Sequence, residues 1–103
     1  MTIVESKLVM QTSLLQQLRQ AKPALFSRYP LKTLGLFGSH AREDAHPDSD
    51  VDILVEFEKP VGFEAVDLAI ELEELLHLRV DLVSRKGVKA SLWPFIEKDL
   101  IYV

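Results

Sequence analysis

Two short apolar runs, Val51 to Phe57 and Arg79 to Ser84, are separated by a segment of helix length with one clear amphipathic stripe. Ala65, Leu68, Ala69, Leu72, Leu75 and Leu76 recur at helical spacing, while Glu64, Asp67, Glu71 and Glu74 line another face. Strand, helix and strand over that distance is the spacing of a crossover connection. A chain holding such a unit has to build layers of helix on sheet. The expectation is an α/β fold.

The flanking segments extend this unit. Ser13-Leu14-Leu15-Gln16 has the form of a capping box, and Leu14, Leu18, Ala21 and Leu25 then recur at helical spacing. Pro23 interrupts the stripe, so one helix is expected to end near Lys22 and a short second one to start at Pro23. Residues 1–10 are read either as the start of a helix or as a loose N-terminal arm. Leu31 to Phe37 is a buried strand ending at Gly38. Pro60 and Gly62 make a turn, and Lys86-Gly87 ends the third strand. A last short helix starts at Pro94, followed by extended Ile101-Tyr102-Val103. The order is α-β-α-β-α-β-α, a small sandwich with a mixed sheet of three to four strands.

At 103 residues the chain is expected to be a single domain, 1–103. Its 48% hydrophobic and 27% charged residues are those of an ordinary soluble globular protein. No cysteine is present, which excludes disulfide scaffolds, thiolate zinc sites and a cysteine nucleophile. Neither a secretory signal nor an apolar stretch near the ~20 residues of a membrane span is visible, so a cytoplasmic protein without a membrane is expected. The net charge of −4 argues against direct nucleic-acid binding, which usually needs a basic face.

Residues 37–52 and 81 carry the chemistry. In an extended chain Asp50 and Asp52 project to the same side. Two close carboxylates repel unless a cation sits between them, and magnesium, a hard ion, suits oxygen ligands. An acidic strand start facing solvent is the plainer alternative. Asp81 stands alone in the apolar run Val80-Asp81-Leu82-Val83. It either lies beside the Asp50/Asp52 face or points to water from an edge strand. Gly38-Ser39 follows the first strand, where a glycine permits close approach of a ligand and Ser39 can cap a helix holding Ala41 and Arg42.

Together, Phe37-Gly38-Ser39-His40-Ala41-Arg42, Asp48-Ser49-Asp50-Val51-Asp52 and Asp81 resemble the nucleotidyltransferase superfamily that includes DNA polymerase beta. The match is closest to its minimal nucleotidyltransferase (MNT) branch and runs from about Leu14 to the C-terminus. Glu43 departs from it, standing where many relatives have glycine after the arginine. The resemblance implies that Asp50 and Asp52 hold two Mg2+ ions bridging the triphosphate of ATP. Asp81 would share one metal and help activate the acceptor hydroxyl, as ligand or base. Gly38 and Ser39 would bind phosphates, Arg42 would neutralise phosphate charge or brace the loop, and Ser49 would orient the aspartate pair.

The resemblance also implies a partner. MNT proteins are commonly paired with a HEPN protein, a helical ribonuclease toxin, and act as antitoxins by transferring AMP from ATP to a toxin tyrosine. Added charge and bulk then disable a site that must bind RNA. A small-molecule nucleotidyltransferase of the aminoglycoside-modifying type and a non-catalytic toxin-binding module are the other readings. Arg85, Lys86 and Lys89 are read as a solvated loop that could balance triphosphate charge. His40 occupies the variable loop position, His46 and His77 read as structural or exposed, and Trp93 and Phe95 read as core closure. The acidic face of the central helix reads as solvated surface.

Overall fold

A computed structural model describes residues 3–103, with side-chain surroundings from Val9 onward. The elements run α1 (Ile3–Arg28), β1 (Leu31–Phe37), α2 (Ser39–Arg42), β2 (Val51–Phe57), α3 (Glu64–Leu76), β3 (Val80–Ser84), a 3₁₀ turn (Arg85–Gly87), α4 (Trp93–Asp99) and β4 (Ile101–Tyr102). The sheet has four strands in the order β3-β2-β1-β4. β2 and β3 are parallel, as the crossover through α3 requires, whereas β1 runs antiparallel to both β2 and β4. The mixed α/β sheet is thus the expected one, with extended Ile101-Tyr102 as its fourth strand.

Alternation along the strands separates two faces. Val51, Ile53 and Val55 of β2 join Leu34 and Leu36 of β1 in a core completed by Leu14, Leu18 and Leu25 of α1 and Leu68, Leu72 and Leu76 of α3. Asp52 and Leu54 therefore face the other way; Leu54 is fully buried yet stands outside that core. Val80 and Leu82 pack against the core as well, which sends Asp81 to the same side as Asp52. α4 approaches this second face, where Gly35 leaves room for Leu100: a Cβ there would sit 2.7 Å from Leu100 Cδ1. Among the described residues no helix is long and apolar enough to cross a membrane.

Four local expectations are overturned, one of them the reading of Phe95 as core closure, since its side chain is exposed. α1 does not break at Lys22 but continues through Pro23 to Arg28. A proline inside a helix removes one hydrogen bond and crowds the preceding turn, at a cost of about 3 kcal/mol. Here Leu18 and Leu25, on either side of it, are both fully buried, so packing of one continuous face outweighs that cost. Ser13, expected to cap a helix, lies inside α1, where Gln17 Nε2 donates to its carbonyl and its Oγ. Ser39 likewise does not cap α2: Gly38 is the N-cap residue, and Ser39 begins the helix. The segment left open between helix and arm is helical from Ile3 onward, and residues 1 and 2 lie outside the described residues.

Candidate active site at the mouth of the sheet

The site forms where β1 ends and β2 begins. Phe37, last in β1, pairs with Asp52 across the antiparallel ladder. The chain then turns through Gly38 at φ 74°, ψ −155°, a conformation that disfavours any side chain. A Cβ at this residue would overlap the Asp52 carboxylate, so the glycine brings bare backbone directly against it. Ala41 N and Arg42 N both donate to Gly38 O, closing the turn into α2 at 3.1 and 3.0 Å. Glu43 ends α2 in the left-handed region, φ 65°, ψ 26°. Glu43 thus holds a backbone shape that a residue with a Cβ adopts at some strain and that glycine adopts freely.

The three aspartates come together from separate elements. Asp52 and Asp81 are register partners on the parallel strands β2 and β3, and Asp50 stands two residues earlier on the same side. β3 is an edge strand and Asp81 is exposed, so the edge-strand alternative is correct about its place, yet Asp81 still flanks Asp52. Half-burial, followed by repulsion from Asp81 and Asp50, holds the Asp52 carboxyl above its ordinary 3.8. His40 and Arg42 pull it the other way.

Asp50 is engaged elsewhere. Arg79 Nε donates to its Oδ1 at 3.2 Å, with both side chains at least half exposed. As the side chains stand, the described residues include no group of three or more acidic or histidine ligands gathered closely enough to hold a metal ion. The donor set nevertheless suits a hard cation. Three carboxylates share one corner of the sheet, and the central one is electrostatically strained in a way that a divalent ion would relieve. Asp50 would have to exchange Arg79 for the ion.

Arg42 forms its ion pairs outside the trio of Asp50, Asp52 and Asp81. Its Nη1 donates to Asp99 of α4 at 2.8 Å and its Nε to Asp44 at 3.1 Å, so in this structure it braces the loop against the last helix. Ser49 Oγ accepts from His46 N at 2.8 Å, and Ser49 N donates back to His46 O, which makes a tight turn just before Asp50. His40 is buried, with Nε2 3.2 Å from the Ser49 carbonyl. The basic residues after β3 split up: Arg85 stacks on the Trp93 ring at 3.8 Å. Lys86 lines a cavity of about 310 Å³ between Phe57, Pro60, Val61 and Ala65, which begins four residues beyond Asp52 on β2 and three beyond Asp81 on β3.

Arg79 and Asp99 were not singled out by sequence reasoning. For Arg79 a signal existed: with Val51 opposite Val80, parallel register sets residue 79 against residue 50, and the signs are opposite. Asp99, 57 residues from Arg42, carries no local signal.

Comparison with known proteins agrees with this fold. Residues 18–103 match the family model of the nucleotidyltransferase domain. The chain is similar to the protein adenylyltransferase MntA of Thermococcus cleftensis, with 41% identity over 83 residues, 80% of this chain and 84% of that protein. Its fold is similar to that of a solved protein provisionally described as a minimal nucleotidyltransferase: TM-score 0.66, 30% identity, 95% of this chain and 93% of that one. A toxin–antitoxin crystal structure with AMP-PNP gives a TM-score of 0.65 and 25% identity over 89% of this chain and 70% of that one.

Proposed function

Since the chain belongs to the nucleotidyltransferase domain family, we propose that it is a Mg2+-dependent antitoxin that transfers AMP from ATP to a tyrosine of a HEPN-type ribonuclease toxin. The observation that carries this reading is the register pairing of Asp52 with Asp81, with Asp50 two residues ahead of Asp52, at the Gly38 turn that packs against the Asp52 carboxylate. Likeness to the Thermococcus cleftensis MntA over most of both chains supports protein adenylylation as the activity. Likeness to a toxin–antitoxin structure holding an ATP analogue supports both nucleotide and partner.

The tyrosine oxygen attacks the α-phosphorus, the bond to the bridging oxygen of the β-phosphate breaks, and pyrophosphate leaves. Two Mg2+ ions, held by Asp50 and Asp52 with Asp81 sharing one, would neutralise charge on the triphosphate and the attacking oxygen. Gly38 and Ser39 would bind phosphate through backbone and hydroxyl groups, at a turn whose glycine lets the Asp52 carboxylate lie close against it. Asp81, on the exposed edge, lies where an acceptor from a second protein can reach it and assists loss of the hydroxyl proton. Ser49 sets the direction from which Asp50 enters the site, and Arg42 holds the loop to α4. Work in the cytoplasm, without a nucleic-acid grip of its own, is consistent with the acidic balance.

Intact-mass spectrometry of a HEPN-type partner, after incubation with this chain, ATP and magnesium, tests the reading. Gain of one or more AMP units, lost with D50N/D52N, is the expected result. A partner that stays unmodified but is bound and silenced by both versions would leave a binding module.

A further inference from the structure

His40 is the one buried polar or charged residue among the described residues, 3% exposed, and its ring is only half satisfied. Nε2 lies 3.2 Å from the Ser49 carbonyl, which can only accept, so Nε2 carries the proton and donates. Nδ1 is buried and has no hydrogen-bond partner among the described residues. Such an orphan is retained at a cost, and in native proteins it calls for a reason.

We infer that His40 is a positioning residue that ties the phosphate-side helix α2 to the backbone just ahead of Asp50. The inference rests on the reading of Asp50 as a metal-binding carboxylate. The two aspartates are held very differently. Asp52 lies inside β2, with ladder neighbours Phe37 and Asp81 on either side. Asp50 precedes the strand, in a segment whose own closure is the short turn His46–Ser49. The loop between α2 and β2 spans the eight residues Glu43 to Asp50, and it is tied to α2 in two regions: at its start, where Glu43 N and Asp44 N donate to Ser39 O and Arg42 Nε donates to Asp44 Oδ2, and at its end, where His40 meets the Ser49 carbonyl. Only the second reaches the residue next to Asp50.

Loss of this donor therefore loosens Asp50 while leaving Asp52 in its ladder. A shift of a metal-binding carboxylate by about an ångström is enough to lower a rate ~100-fold. Glutamine can place an amide N–H near the Nε2 position, whereas phenylalanine fills the space and donates nothing. The phenylalanine ring fills the space of the imidazole without donating, which separates the hydrogen bond from simple packing.

The experiment compares wild type, H40Q, H40F and D50N as full chains by two measurements: amide hydrogen exchange across residues 48–52, and MgATP affinity by calorimetry. Faster exchange at Ser49 and Asp50 in H40F, unchanged exchange within β2, and recovery in H40Q are expected. MgATP binding should fall roughly 10-fold or more in H40F, toward the D50N value, and return in H40Q. Wild-type exchange in H40F, or equal loss in H40Q and H40F, overturns the tie. Wild type that ignores MgATP would overturn the catalytic reading instead, and the exchange data would still decide whether His40 tethers Ser49.

Discussion

Gly38 and Asp52 share space that only a glycine leaves free: a Cβ at residue 38 would overlap Asp52 Oδ2 and lie 2.9 Å from Cγ, and φ there is +74°. The requirement is double, because the backbone angle alone already disfavours a side chain. G38A is expected to destabilise the fold by about 1–3 kcal/mol and to abolish AMP transfer by displacing Asp52. Urea unfolding and intact-mass assays check the two halves separately. A folded, fully active G38A would show that the close approach is dispensable.

The repulsion around Asp52 makes a pH prediction with a definite sign. Burial, Asp81 and Asp50 raise its folded-state pKa above the ordinary 3.8, so the native state holds that proton more tightly than the unfolded chain does. The ionised form thus costs stability above the folded pKa, and protonation relieves it below. D52N, always neutral, should match wild type in stability at pH 3–4 (about the ordinary carboxylate value) and exceed it increasingly as pH rises, until Asp52 is fully ionised. Melting curves of both proteins across that range test it. A constant gap would mean that the substitution acts through packing. Activity of D52N should be lost at every pH.

Glu43 has an unusual consequence. Holding φ 65° costs a residue with a Cβ of the order of 1 kcal/mol, which glycine avoids. E43G also removes one acidic group from the loop between α2 and β2, and its backbone gains entropy when unfolded. The expected net result is a stabilisation of up to about 1 kcal/mol with activity retained, measured by urea unfolding. Substitution by valine, which tolerates this region poorly, should destabilise instead.

Arg42 and Asp99 are coupled across 57 residues of chain at 2.8 Å, and the Asp99 side chain is only 11% exposed. Removing the guanidinium leaves a mostly buried carboxylate without it, at a cost of about 1–3 kcal/mol. R42A should be clearly less harmful in a D99N background, and a double-mutant cycle of unfolding free energies measures the difference. Unchanged stability in R42A, with only the KM for ATP raised, would assign Arg42 to phosphate instead of the loop.

Much of this molecule follows from local pattern. The stripe of Leu68, Leu72 and Leu76 and the runs on either side of it dictate a parallel β2-α3-β3 crossover, because a helix and two strands of those lengths bury their apolar faces in no simpler way. The i, i+2 spacing of Asp50 and Asp52 sets them on one side of the chain for the same reason of strand geometry. Partners distant in sequence carry no such periodicity. That α1 runs through Pro23 depends on Leu18 and Leu25 finding one shared core. That Asp50 meets Arg79 and Arg42 meets Asp99 depends on strand register and on where α4 folds back. His40 shows the division most sharply. As a sequence letter it is an ordinary polar residue in a loop. Its burial, its bond to Ser49 and its unpaired Nδ1 exist only because the folded chain closes the loop from Glu43 to Asp50 over it. Local spacing decides which elements form and which way their side chains point; the energy of packing them together decides which polar groups meet.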